Sequence, residues 1–142
     1  MVNVESLPAG GTRFSTAEGS IEVTSPSRHL VVNRFRGLAQ TSLAAPVLTE
    51  LSRSIHASSI GLCVMNDADG LTDYESGFRQ QWTEWIRVNR RHLKAFHLLH
   101  SSSVIRIGVK LANVIVGDVI KSYPDRVAFE AAIEEFRTRP PG

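Results

Sequence analysis

The chain of 142 residues carries 16 Lys and Arg against 14 Asp and Glu, a formal net charge of +2, with 42% hydrophobic and 21% charged residues. This balance suits an ordinary globular domain burying about two-thirds of its unfolded surface, and it is too mildly basic to imply nucleic acid by itself. Cys63 is the only cysteine, which excludes an intramolecular disulfide and a cysteine-based zinc site, and its apolar neighbours predict an inert core thiol.

The N-terminus lacks a basic region followed by an apolar segment, and no stretch reaches the roughly 18 to 20 apolar residues that span a bilayer. A cytoplasmic location and no transmembrane segment are the expectations.

Residues 1–18 contain Pro8, Gly10 and Gly11 without periodicity and read as a mobile lead-in. Ser20 to Ser25 alternates Ile21 and Val23 with polar neighbours, and His29 to Gly37 resumes the pattern after a Ser-Pro-Ser-Arg turn. Together they predict an antiparallel hairpin. From Thr41 to His56, Leu43, Val47, Leu48, Leu51 and Ile55 recur at helical spacing, with Pro46 near the first turn, where a missing N–H is best tolerated.

The apolar run Leu62 to Met65 predicts a buried strand that ends in an acidic loop bearing Asp67, Asp69 and Asp73. Thr72 and Glu75 have the spacing of a capping box for the helix beyond. That helix has an apolar stripe of Phe78, Trp82, Trp85, Ile86 and Leu93 and an opposite basic face of Arg87, Arg90, Arg91 and Lys94. Ala95 to Leu99 predicts an interior strand. Ser101 to Gly117 fits strand alternation as well as a helix, and its polar stripe of Arg106, Lys110, Asn113 and Gly117 favours the helix. Val119 to Tyr123 predicts an edge strand and Asp125 the cap of a last helix facing inward with Phe129, Ala132, Ile133 and Phe136.

The order β-β-α-β-α-β-α-β-α predicts an α/β sandwich on a mixed β-sheet with helices mainly on one face. Residues 19–138 form the expected domain and 139–142 a tail.

Helix initiation accounts for much of the acidic stretch, because carboxylates stabilise a helix N-terminus. They also oppose a bound phosphate there. The segment nevertheless resembles the first motif of haloacid-dehalogenase-type phosphotransferases, which would make Asp67 the nucleophile, Asp69 the general acid and magnesium the cofactor. Against that, the motif lies mid-chain and its threonine is displaced to Thr72. An EF-hand loop aligned on Gly70 would end on Ser76 instead of a glutamate. His97 and His100, three apart on a predicted strand, point to opposite faces and suggest no metal with His92. No cofactor, metal or catalytic residue is expected. Trp82 and Trp85 lie away from the basic residues and so form no stacking platform for nucleic acid; core packing is their default, and lining an apolar pocket the sharper reading.

Four segments carry a family resemblance: HLVVNRFRG, LCVMNDADGL, YESGFRQQWTEW and VIKSYPDRVAFEAAIEEF. In their order the chain resembles the STAS domains, and within them the bacterial SpoIIAA-like branch, related in fold to CRAL-TRIO lipid-binding domains. The resemblance spans about Ser20 to Phe136. It implies a STAS-like fold and a non-enzymatic signalling module, akin to anti-sigma-factor antagonists, with a protein partner. In partner-switching STAS proteins an Asp-Ser-Ser-Gly-Leu turn supplies a phosphorylated serine. Glu75, Ser76, Gly77 and Phe78 match its last four positions, so Glu75 stands at the phosphoacceptor. The docking surface implied is Asp67 to Phe78, with Arg87, Arg90, Arg91 and Lys94 as a second contact. The rival expectation is a carrier of a lipid or other apolar small molecule, using Trp82, Trp85 and apolar residues of the third helix.

Overall fold

Seven strands form one sheet in the order of their occurrence in the computed structural model, which describes residues 1–139. They are β1 (Asn3–Ser6), β2 (Thr12–Ser15), β3 (Gly19–Ser27), β4 (Leu30–Ala39), β5 (Leu62–Tyr74), β6 (Leu93–Leu99) and β7 (Ile120–Tyr123). Pairing is antiparallel from β1 to β4 and parallel from β4 to β7. The helices are α1 (Ala44–Ala57), α2 (Ser76–Asn89), α3 (Ser103–Val116) and α4 (Arg126–Thr138). The mixed sheet and the helix order are those the sequence predicts, with two additional strands. Those strands replace part of the expected lead-in. Phe14 of β2 is buried and pairs with Ile21 of β3, and Arg13 donates to Glu22 at 2.9 Å. The four-residue β2 gives too short an alternation to register as a strand. Of the expected tail, residues 140–142 lie outside the described residues.

Successive parallel strands joined by right-handed crossovers place their connecting helices on one face. The larger core lies there: Val47, Leu51 and Ile55 of α1, Phe78, Trp82 and Ile86 of α2, and Ala112 and Val116 of α3 pack on Val31, Phe35, Val64 and Phe96 of the sheet. The other face carries a smaller core in which Leu30, Val32, Cys63, Met65 and Leu99 are covered by Phe129 of α4. Cys63 is fully buried; burial pushes its thiol up to about 11, although the charge of Lys94 pulls the other way. The inert thiol is thus the one the sequence predicts.

Local signals explain the element ends. Pro46 falls in the first turn of α1. Ser102 accepts from the Val104 N–H to cap α3, and Gly117 ends it at φ +75°. Asp125 accepts from the Ala128 N–H at 2.8 Å to cap α4. Leu93, expected on the second helix, instead opens β6, because α2 stops at Asn89.

Two buried amides sit side by side in the larger core. Asn33 Nδ2 donates to Asn66 Oδ1 at 2.9 Å, and Asn66 Nδ2 donates to the His97 carbonyl at 2.9 Å. The chain fixes the register of β4, β5 and β6, since any slip strands polar groups without water.

His97 lies under α4, against the rings of Tyr123 and Phe136, with Nδ1 2.8 Å from the Tyr123 hydroxyl. Burial, together with the charge of Lys121, drives it down to about 4. Between pH 6.5 and about 4 the unfolded chain therefore binds a proton that the folded chain does not, so stability falls with falling pH and is constant in this respect above 6.5. Urea unfolding across that range should show this loss, and His97→Phe should remove most of it. An unchanged slope in the variant would rule this origin out.

Candidate functional site

The acidic stretch is strand, not loop. β5 continues through Asp67, Asp69 and Asp73 to Tyr74 and pairs with β4 along its length, with irregularities after Arg34 and Gly37. Residues Leu62 to Ala68 are buried, and the end from Asp69 onward emerges at the surface. Thr72 consequently caps nothing, and the capping box does not form: Glu75 itself is the N-cap residue of α2, without a side-chain bond to that helix.

Asp67 is the best-held carboxylate in the chain. Its side chain is 9% exposed and faces α4. Arg126 grips it in bidentate fashion, with Nη1 2.9 Å from Oδ2 and Nη2 3.1 Å from Oδ1, while Arg34 Nη1 approaches Oδ2 at 2.6 Å. The Asp69 N–H adds a fourth donor at 3.2 Å, and Glu130 Oε1 accepts from both arginines at 3.2 and 3.3 Å. Burial raises the Asp67 pKa. The hydrogen bonds from Arg126, the Asp69 backbone and Arg34, with the charge of Arg126, outweigh that and hold it below 3.8. A nucleophile needs a free, approachable oxygen. The arrangement therefore does not reproduce the phosphotransferase motif, and among the described residues no group of three His, Cys, Asp or Glu side chains gathers to hold a metal ion.

The other acidic residues serve local ends. Asp69 accepts from the Ser101 hydroxyl at 3.0 Å and from Arg126 at 3.3 Å. Asp73 accepts from the adjacent Tyr74 N–H at 2.8 Å. Glu75 Oε1 accepts from the Thr41 N–H at 2.6 Å, fastening the start of α2 to the 3-10 turn Thr41–Leu43. Gly77 lets the two approach: a Cβ there would lie 2.7 Å from Thr41 Oγ1. Ser76 is exposed beside them. Asp73, Glu75 and Ser76 are exposed at the positive end of the α2 dipole, whereas Asp69, also exposed, is paired with Arg126.

The basic residues do not share one helical face. Arg87 ends α2 and pairs with Glu84 at 2.6 Å, Arg90 and Arg91 lie in the turn Arg90–His92, and Lys94 lies on β6. They sit at the far end of α2, about 20 Å from Glu75 by the helical rise. The tryptophans also part company. Trp85 packs toward α1 and donates to Ser52 Oγ at 2.9 Å. Trp82 lines an apolar cavity of about 110 Å³ between the sheet, α2 and α3, which Trp85 does not reach. The exposed side of α3 carries Ile107, Leu111 and Val114, outside that cavity.

Sequence reasoning missed Arg34 and Arg126, which join Asp67 across 33 and 59 residues. Nothing local marks such partners. The sole hint was the isolated position of Asp67 at the end of an apolar run, where a buried charge requires a counter-charge.

No protein-family model matches the chain, and no curated protein does. By structure it is similar to an uncharacterized DUF3478-family protein with a SpoIIAA-like fold from Shewanella loihica. The TM-score is 0.59 at 11% identity, over 84% of this chain and 97% of that one. It is also similar to the Bacillus cell fate determinant SpoIIAA in its phosphorylated form, with a TM-score of 0.58 at 14% identity, over 79% of this chain and 98% of that one. The chain has a SpoIIAA-like fold, as the resemblance implied. No helix among the described residues is long and apolar enough to cross a membrane.

Asp67→Asn should lower stability in urea by about 2 kcal/mol. This is less than for a fully buried pair because both arginines can turn to water. The wild-type benefit is present at neutral pH and is lost as pH falls through the depressed Asp67 value, so the gap between the two proteins should close in strong acid. A constant gap would contradict the clamp.

Proposed function

We propose that the chain is a non-enzymatic regulatory module that docks a protein partner on the end of β5 and the first turn of α2, around Asp73, Glu75, Ser76 and Gly77. The observation that carries this reading is Glu75: an exposed carboxylate at the N-cap of α2, held by the Thr41 N–H, in a chain with a SpoIIAA-like fold. The resemblance puts the phosphoacceptor at this position. A phosphoserine brings about −1.5 to −2 charges, whereas Glu75 supplies a permanent −1. The partner is therefore met by a fixed charge, without phosphorylation as the switch. Ser76 is a poor substitute acceptor, since a phosphate there would face Glu75 and Asp73.

Two features support a non-catalytic role. Asp67 is committed to Arg34 and Arg126, and Asp69 to Ser101 and Arg126. Arg90, Arg91 and Lys94 lie at the opposite end of α2, so a partner seated on the Glu75 end leaves them uncovered.

Photo-crosslinkers placed at Ser76 and at Arg91 in otherwise identical chains should separate the two ends. A discrete cellular partner should be captured from Ser76 and not from Arg91, and Glu75→Gln should weaken that capture about tenfold while Arg91→Gln leaves it unchanged. Equal capture from both positions would contradict the docking site. Magnesium-dependent phosphatase activity abolished by Asp67→Asn would contradict the non-enzymatic reading.

A further inference from the structure

The cavity beneath α2 and α3 is lined by one buried hydrogen-bond donor without an acceptor and by one arginine without an ion pair among the described residues. Trp82 is 7% exposed, and its Nε1–H is buried without a partner. A buried donor left unpaired is costly, and structures that keep one usually supply its acceptor from a water or a ligand. Arg79 lies one helical turn earlier on the same face of α2, lines the same cavity, and makes no ion pair among the described residues. The rest of the wall is nearly all apolar, with Phe35, Leu71, Phe96 and Val109 among the lining residues.

One water bonded to Trp82 Nε1–H leaves most of this apolar space unfilled, since a water takes up only about 30 Å³. A buried water needs two to four polar partners. The lining Asn66 already spends its amide on Asn33 and the His97 carbonyl, and the Thr83 hydroxyl donates to the Arg79 carbonyl at 2.7 Å. Size sets the other limit. An apolar cavity of about 150 Å³ takes up benzene, and this one, at about 110 Å³, is smaller, so no more than a small ring or a short chain lies inside it while the rest of a ligand stays in its open mouth. A charge must stay near water or a counter-ion. Arg79 is half-buried, so an anionic head can sit at its guanidinium while the apolar body enters.

We propose that this cavity is a binding site for a small apolar carboxylate, of single-ring or short-chain size, whose carboxylate accepts from Arg79 and from Trp82 Nε1–H while its apolar body fills the space between the sheet, α2 and α3. Tyr74 stands over it, its ring so close to Gly108 that a Cβ there would meet the hydroxyl. The site depends on no protein partner, so failure of the docking reading leaves it standing.

Titration of the full chain with benzoate, followed through the two indole N–H resonances in proton–nitrogen correlation spectra, tests this directly. Benzoate should move the Trp82 resonance and leave that of Trp85, which is bonded to Ser52. Toluene, which lacks an acceptor, should bind at least tenfold more weakly. Arg79→Gln should weaken benzoate about tenfold and leave toluene unchanged; Trp82→Phe, scored by calorimetry, should weaken benzoate about fivefold. Circular dichroism of each variant excludes misfolding, and the wild-type titration needs no variant. No movement of the Trp82 resonance at millimolar benzoate would overturn the proposal, as would equal affinity for benzoate and toluene.

Discussion

The Arg126–Asp67–Arg34 clamp is the interaction on which the architecture turns. Three of the four helices lie on one face of the sheet because parallel crossovers of one hand put them there. Among the described residues, the opposite face, with Leu30, Val32, Cys63 and Met65, is covered by α4 alone. The hold of α4 comes from Phe129, whose burial is worth about 2 to 3 kcal/mol, and from Arg126, which reaches over the sheet to the Asp67 carboxylate midway along β5. The clamp therefore joins α4 to the central strands of the sheet.

The same clamp sorts the acidic residues into two groups. Asp67 and Asp69 are turned to Arg126 and to the opening between β5 and α4, where neighbouring carboxylate and guanidinium charges largely cancel. Asp73 and Glu75 remain on the solvent side, next to the start of α2. One stretch of sequence thus supplies a structural ion pair in its middle and an unneutralised edge at its end.

How much of this was legible in the sequence follows from the range of each interaction. Strand and helix patterns in β3, β4, α1, α3 and α4 depend on neighbouring residues, as do the caps at Ser102 and Asp125, and the chain's order of elements could be read from them. β2 was missed because its partner Ile21 supplies the burial that four residues of alternation cannot reveal. The acidic loop was misread because Asp, Gly and Thr normally end strands, whereas pairing with β4 carries β5 on to Tyr74. The expectation of one basic helical face extends the helical period past Asn89, where α2 stops. Trp82 and Trp85 share a stripe in sequence, yet α1 claims one and the cavity the other. For β2, β5 and the two tryptophans a contact distant in sequence decided the outcome.

Whether the two arginines hold Asp67 as a clamp comes down to the charge on that one carboxyl. Carbon-detected NMR titration of the Asp67 side chain in the intact protein reads it directly. A pKa below the ordinary 3.8 is predicted, because the two guanidinium groups and the Asp69 N–H favour the ionised form over the cost of burial. A pKa at or above 3.8 would mean that the arginines do not hold Asp67, and the account of the clamp and of what it leaves open at Glu75 would fail.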